Sequence, residues 1–194
     1  MVVVRESVGA NKQDDILVPS GKAVAKLPDG REVEIQAEWW DFIGDMHIRF
    51  VFDQPQTMIG AMPEDFERLG LANVDQALEL ALANVRRVYG EPAVSPWAAG
   101  VMAVHGQSPD LDSSYVLDRD FWRMQLKEHP DGLVVAVPAR GGLLYAPLSD
   151  HAAVDGLKKG IGALHASSGR LRVSRALYLF KADKWSVFQP STAR

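Results

Sequence analysis

The fold follows from residues 133–146, which read Leu133-Val134-Val135-Ala136-Val137-Pro138-Ala139-Arg140-Gly141-Gly142-Leu143-Leu144-Tyr145-Ala146. The first five residues are apolar on both faces of an extended chain, and this pattern predicts a strand inside a covered sheet. Residues 138–142 favour a turn, because glycine readily adopts positive φ. Residues 143–146 then supply an apolar partner strand. The stretch therefore predicts a buried β-hairpin.

A second hairpin is predicted near the start of the chain. Residues 22–27 and 31–39 flank Pro28-Asp29-Gly30, and the second of these segments alternates apolar and polar side chains strictly. Period-2 alternation around such a turn is typical of a hairpin with one solvent-facing side. Residues 46–53 alternate again and predict a third strand of the same sheet. Residues 1–21 contain many turn formers, and we expect an extended arm with at most a short strand there.

Four segments carry the apolar spacing or the end signals of helices. The best specified begins after Asn73, a predicted N-cap with Gln76 at the third helical position, and ends at Gly90. The last helix, which we expect to be capped by Ser149, contains three internal glycines, whose presence indicates a close approach to the sheet. The predicted helices span about residues 63–69, 74–89, 119–129 and 150–167.

The remaining segments complete an α+β prediction. Residues 100–105 and 114–117 resemble short strands, and residues 176–181 and 184–188 predict a C-terminal hairpin. Hairpins separated by helices, without regular strand-helix alternation, favour a mostly antiparallel sheet built from hairpins with helices packed on one side.

The least arbitrary domain boundary falls near residues 55–62. It would separate an N-terminal arm and β-hairpin subdomain, residues 1–54, from an α+β body, residues 55–194. One continuous domain is the alternative.

Composition excludes several classes of protein. The chain has 194 residues, 47% hydrophobic and 24% charged, with no cysteine and a formal charge of −4. Disulfides, thiolate zinc sites and cysteine nucleophiles are therefore excluded. No run approaches the ~18 apolar residues of a membrane span, so we expect a cytoplasmic protein without a membrane partner. Net negative charge disfavours nucleic acid as a partner, and nothing in the sequence predicts a cofactor.

Charge is divided unevenly along the chain. Residues 1–150 hold 13 basic and 23 acidic side chains, a net charge of −10, whereas residues 151–194 hold 8 basic and 2 acidic, a net charge of +6. This asymmetry indicates that a basic C-terminal end folds back onto an acidic body.

One region resembles a known family. A capped helix with Asn84-Val85-Arg86-Arg87 near its end, then His129-Pro130, then residues 132–140 and Leu143-Leu144 follow in an order similar to that of the YtpQ-like family of uncharacterised bacterial proteins. The resemblance covers residues 73–148 and rests mostly on core pattern. It implies a bacterial, cytosolic α+β fold without an assigned activity or catalytic residues.

The preferred functional hypothesis is non-enzymatic binding of a basic protein, as an immunity or adaptor-like protein. Because adjacent strand residues face opposite sides, one ring of the pair Trp39-Trp40 should lie on an outer face rich in carboxylates. An exposed tryptophan among acids suits a cationic partner. The predicted partner-binding residues are Glu34, Glu38, Trp40, Asp41 and Asp45.

The alternative function is a metal-assisted hydrolase or transferase that uses His105, Asp110 and Asp112. The five histidines show no spacing typical of metal ligands, and polar residues in such a loop are more often solvated turn formers. We therefore assign no metal ligand, and whether the chain is an enzyme stays open. A third hypothesis is a small-ligand pocket between the strand carrying Val134 and Val135 and the glycine-containing helix.

Overall fold

The computed structural model describes residues 1–20, 23–35, 39–54 and 56–191, and within these ranges the side chains of residues 23–26 and 33–35 stand outside the description. This part of the chain forms antiparallel sheets, four α-helices and two short 3-10 segments. The predicted α+β class with antiparallel sheets built from hairpins is thereby confirmed.

In chain order, the elements are β1 (Val2–Glu6), β2 (Val18–Pro19), β3 (Ala23–Lys26), β4 (Glu32–Ile35), β5 (Trp39–Asp41), β6 (Met46–Gln54), β7 (Thr57–Gly60), α1 (Pro63–Arg68), α2 (Val74–Tyr89), β8 (Ala93–Ala98), β9 (Val101–His105), a 3-10 segment (Pro109–Leu117), α3 (Arg119–Glu128), β10 (Leu133–Ala139), β11 (Gly142–Pro147), α4 (His151–Ser167), a 3-10 turn (Gly169–Leu171), β12 (Leu177–Lys181) and β13 (Lys184–Gln189).

The larger sheet is built around the hairpin that the sequence indicated most strongly. Its strand order is β13-β12-β10-β11-β9-β8, and every neighbouring pair is antiparallel. β10 is central, and its residues from Leu133 to Val137 are wholly buried. The predicted hairpins over β10–β11 and β12–β13 are both confirmed. β8 was not predicted; it is an edge strand and therefore tolerates Pro96.

The first sheet differs from the prediction. Its order is β1-β6-β5-β2, with β7 also paired to β6. The predicted hairpin exists as β3 and β4, with Lys26 opposite Glu32, but it forms a separate two-stranded sheet and β6 is not its third strand. The extended arm expected at the start contains β1, whose three valines are 0–1% exposed. The apolar run Val2–Val4 is a core strand because it pairs with β6 along its whole length.

The helix ends follow local sequence signals in most places. Asn73 accepts a hydrogen bond from the Gln76 backbone at 2.9 Å, and Asp118 caps α3 by accepting from Phe121 at 3.2 Å. The cap of α4 is Asp150, not Ser149, because the Asp150 carboxylate accepts from the Ala153 backbone at 3.0 Å. Residues 114–117, predicted as a strand, belong to the 3-10 segment 109–117.

The glycines of α4 do not serve a close helix-to-sheet approach. A Cβ built at Gly156, Gly160 or Gly162 meets nothing within 4 Å. α4 packs on the sheet through larger side chains, and Leu157 and Ile161 lie in one buried cluster with residues of β10. The expectation drawn from these glycines is therefore wrong.

Two apolar clusters lie on opposite faces of the larger sheet. One face packs against α4, and the other packs against α2, α3, the 3-10 segment and the first sheet. Helices therefore lie on both faces of the larger sheet, not on one side as predicted, because both faces of β10 are apolar. This second cluster contains Val2 and Ile48 together with Trp122 and Val135, so it joins residues from both sides of the boundary predicted after residue 54. The division into two domains stays a prediction. In the described part of the chain, no helix combines the length and apolar character needed to cross a bilayer.

A buried polar network connects the two sheets. Asp45 lies just before β6, and its Oδ1 accepts hydrogen bonds from Ser174 Oγ at 2.5 Å and from Tyr178 Oη, in β12, at 2.8 Å. All three side chains are buried. Burial, together with the charge of Asp45, raises the pKa of Tyr178 well above its ordinary value, so the phenol stays a donor. Gly44, with φ +58, lets the turn approach the Tyr178 ring, where an added Cβ would lie 2.7 Å from the ring.

We predict that Tyr178→Phe lowers the free energy of unfolding by about 1–3 kcal/mol, because the buried Asp45 carboxylate loses a donor. Chemical denaturation monitored by circular dichroism measures the change. Tyr89→Phe, which removes an exposed hydrogen bond to Asp53, is the matched control and should cost less. Equal losses in the two variants would contradict a special role for the network.

Candidate functional site

The structure describes three residues of the predicted acidic docking surface in full, and two of them are buried. Trp40 is 8% exposed and Asp45 is 4% exposed, so neither belongs to a docking surface. Trp40 packs against the aromatic core, and Asp45 joins the buried network described above. Asp41 is half-buried and accepts a hydrogen bond from Ser20 at 2.6 Å. The Glu34 side chain and the whole of Glu38 lie outside the described residues, so their part in a surface stays a prediction.

The residues of the metal hypothesis lie near one another but face different partners. Asp112 is buried and accepts from the Gly106 backbone at 2.9 Å, and burial raises the pKa of its carboxyl group. His105 Nδ1 lies 3.2 Å from the Gly106 carbonyl, and the exposed Asp110 accepts from Ser108. Within the described ranges, no group of three or more such side chains could hold a metal ion. The metal-assisted alternative stays a prediction with no contact in its favour.

A different site, which we call the arginine pocket, lies beside β1 and β6. It has a volume of about 500 Å³ and is lined by Arg5, Glu6, His47, Arg49, Gly169, Arg170 and Arg172. The lining holds four guanidinium groups and one carboxylate, a formal excess of three positive charges. This excess occurs in a protein whose total formal charge is −4.

Strand pairing places two of the arginines and the histidine. Arg5 in β1 lies opposite His47 in β6, and Val3 lies opposite Arg49. Residues that oppose one another share a face of the sheet, and so do residues two apart in one strand. Arg5, His47 and Arg49 therefore project from one face. Asp41 in β5 is also opposite His47 and is the carboxylate nearest to this group on the neighbouring strand.

Arg49 is held in place from two sides. Its guanidinium carbon lies 3.4 Å from the centre of the Trp39 ring, and its Nε donates a hydrogen bond to His47 Nε2 at 3.0 Å. An arginine nitrogen only donates, so His47 Nε2 carries no proton and Nδ1 donates to Ser7 Oγ at 2.8 Å. The His47 ring also stacks on Trp39. This packing orients the guanidinium before any ligand arrives.

The segment after α4 supplies the other cations. Arg172 Nε donates to one oxygen of Glu6 at 2.9 Å, and His165 Nε2 lies 3.1 Å from the other oxygen. Glu6 is thus engaged on both oxygens. In the described part of the chain, no carboxylate lies within 4.0 Å of the side-chain nitrogens of Arg5, Arg49 or Arg170. Among the described residues, these three guanidinium groups therefore have no carboxylate partner like the one that Arg172 has.

Burial first, and neighbouring cations second, lower the pKa values of three bases in the arginine pocket. Burial and, after it, the charge of Arg49 lower the pKa of His47 to about 4, against the opposing effect of Asp41. Burial and the charge of Arg5 lower the pKa of Arg49 to about 10, and burial and Arg140 lower the pKa of Arg5. A bound anion would oppose each of these shifts, because it stabilises the charged form of a base.

The arginine pocket can therefore hold negative charge. The guanidinium groups without a carboxylate partner among the described residues offer N–H donors, which match the oxygens of phosphates and carboxylates in pairs.

Sequence reasoning missed this site because its members are far apart in the chain. Arg5, Arg49 and Arg170 come from three distant segments, and none belongs to a motif. The available signal was the net charge of +6 in residues 151–194, which indicated a basic end that folds back. The net charge does not reveal which part of the fold the basic C-terminal end contacts.

Comparison with known proteins adds no relative. No family model, no curated protein and no solved structure matches this chain. The resemblance of residues 73–148 to the YtpQ-like family stays a prediction.

We predict that His47 titrates with a midpoint of about 4, well below the ordinary value of 6.5. Between these two pH values the unfolded chain binds a proton that folded His47 does not, so this group lowers the free energy of unfolding as the pH falls from 6.5 towards 4. Nuclear magnetic resonance titration of the imidazole carbons measures the midpoint. Arg49→Gln should raise it, and a midpoint near 6.5 in the wild type would contradict the contacts described.

Proposed function

We propose that this protein binds a small molecule carrying a phosphate group, in the arginine pocket. The observation that carries the proposal is the set of three guanidinium groups, on Arg5, Arg49 and Arg170, which share one pocket without a carboxylate partner among the described residues. Charged groups held close to one another at a cost in repulsion are typical of binding sites. An anion with several negative oxygens relieves that repulsion.

A phosphate group suits the donors better than a single carboxylate. Four arginines offer more N–H donors than one carboxylate can accept, whereas a phosphate presents three terminal oxygens and up to two negative charges. Arg49 is oriented by Trp39 and His47 and loses little further freedom on binding. The volume of about 500 Å³ leaves room for the organic part of a phosphate ester.

The proposal keeps the non-enzymatic binding role expected from the sequence but reverses the charge of the partner. The binding surface expected from the sequence was acidic and faced a basic protein. The arginine pocket is cationic and concave, and two of the five residues named for the acidic surface, Trp40 and Asp45, are buried. These placements favour an anionic small molecule over a basic protein.

Isothermal titration calorimetry with inorganic pyrophosphate tests the proposal. Arg5→Gln and Arg49→Gln should each weaken binding by about 1.5 kcal/mol, or roughly tenfold, because each removes a charge-assisted donor. Added salt should weaken binding further, as it screens these charges. Arg49→Lys keeps the charge but loses the planar fork, so it should weaken binding by less than Arg49→Gln.

Arg123→Gln is the matched control, since this exposed arginine is paired with Asp183 at 2.9 Å and lies outside the arginine pocket. Circular dichroism confirms that each variant is folded. The proposal fails if the folded wild type shows no saturable binding at low salt, or if Arg123→Gln weakens binding as much as Arg49→Gln does.

A further inference from the structure

A second pocket, of about 350 Å³, opens between β6, α1 and α2. It shares no lining residue with the arginine pocket. Its size falls within the range of small-molecule sites, which begin at roughly 300 Å³. We call it the apolar pocket. Its main apolar lining side chains are Phe50, Phe66, Leu69, Leu71 and Leu80.

One wall of the apolar pocket is an aromatic cluster with fixed geometry. The ring centroids of Phe50 and Phe66 lie 5.5 Å apart at an interplanar angle of 82°, and Trp40 lies 5.1 Å from Phe50 and 5.6 Å from Phe66. Edge-to-face packing of this kind is a favourable arrangement of aromatic rings. The wall is therefore already formed without a ligand.

The rim of the apolar pocket leaves large apolar side chains in water. Leu69 is 48% exposed and Leu80 is 41% exposed, although they lie beside a concave apolar surface. Exposed apolar groups around a cavity are typical of a surface that a ligand covers. A ligand that removes the apolar area of these leucines from water is held by the hydrophobic effect.

The charged side chains that line the apolar pocket differ in their hydrogen-bond and ion-pair partners. Asp65 accepts hydrogen bonds from the Met62 backbone and from Arg68, and Asp53 accepts one from Tyr89 at 2.9 Å. Arg87 donates Nε and Nη2 to Asn84 Oδ1, at 3.3 and 3.0 Å. Within the ranges that the structure describes, no carboxylate lies within 4.0 Å of the Arg87 guanidinium nitrogens.

We propose that the apolar pocket binds a medium-chain carboxylate, with its alkyl chain against Phe50, Phe66 and Leu80 and its carboxylate on Arg87. Charge complementarity selects this class. A guanidinium at the edge of an apolar cavity pairs with a carboxylate in two parallel hydrogen bonds, and Asn84 already restricts the position of Arg87. The alkyl chain and the exposed leucines would bury apolar surface against each other.

Calorimetry with decanoate, decanol and decylamine, each below its aggregation concentration, tests this proposal on the full chain. Decanoate should bind most tightly, with a negative heat-capacity change from apolar burial. Arg87→Gln should weaken decanoate about tenfold and leave decanol within about twofold, because only the carboxylate uses the guanidinium. Arg123→Gln is the matched control: it removes an exposed arginine that is paired with Asp183 and does not line the apolar pocket.

A second pair of variants tests the location of the tail. Leu80→Asp puts a charge at a partly exposed rim position and should abolish binding of both decanoate and decanol. Val88→Asp, on the same helix and 44% exposed but outside the lining, should not. Tighter binding of decylamine than of decanoate would overturn the proposal in favour of Asp53 as the head-group partner. Absence of saturable decanoate binding to the folded wild type would also overturn it and would leave the arginine pocket untouched.

Discussion

The antiparallel pairing of β1 with β6 is the constraint on which the rest of the structure depends. Val2, Val3 and Val4 are almost fully buried, and burying each side chain contributes about 1.5 kcal/mol or more. Since side chains alternate, a shift of one residue would turn the strand over. The same register holds Arg5 beside His47 and Arg49. Repulsion between neighbouring cations across a sheet costs only about 0.2–1 kcal/mol, so burial prevails and the charges stay together.

β6 connects this constraint to both proposed sites. His47 and Arg49 project from one face of the strand, and Phe50 projects from the other. The first pair lines the arginine pocket, whereas Phe50 lines the apolar pocket. The two proposed sites would therefore use different physical forces on one strand. The arginine pocket would attract an anion through guanidinium groups that have no carboxylate partner among the described residues, and the apolar pocket would bury an alkyl chain against aromatic rings.

The uneven charge along the chain has a physical counterpart in the fold. The basic segment that follows α4 returns to β1, where Arg172 pairs with Glu6. One carboxylate does not balance the guanidinium groups gathered there, and this excess contributes to the lowered pKa values of Arg49 and His47. The basic segment that folds back therefore neutralises the charge of Glu6, and its remaining positive charge lies in excess beside Glu6.

Elements whose signals are local could be predicted from the amino-acid order, whereas the candidate sites could not. Periodicity and turn residues were sufficient to predict the hairpins β3–β4, β10–β11 and β12–β13. The predicted Asn73 cap was sufficient to place the start of α2. Local signals misled where tertiary contacts prevail. β1 is a core strand because β6 pairs with it, and residues 114–117 belong to a 3-10 segment in which Ser114 Oγ donates to the Val2 carbonyl at 2.8 Å.

Trp39 and Trp40 have the same local context, and the packing of Phe50 and Phe66 around Trp40 determines that Trp40 is the buried ring. Arg5, Arg49 and Arg170 are brought together only by the tertiary packing of the sheets and α4. Periodicity reports which face of an element is apolar, but the meeting of distant charges depends on strand register and on how the chain returns.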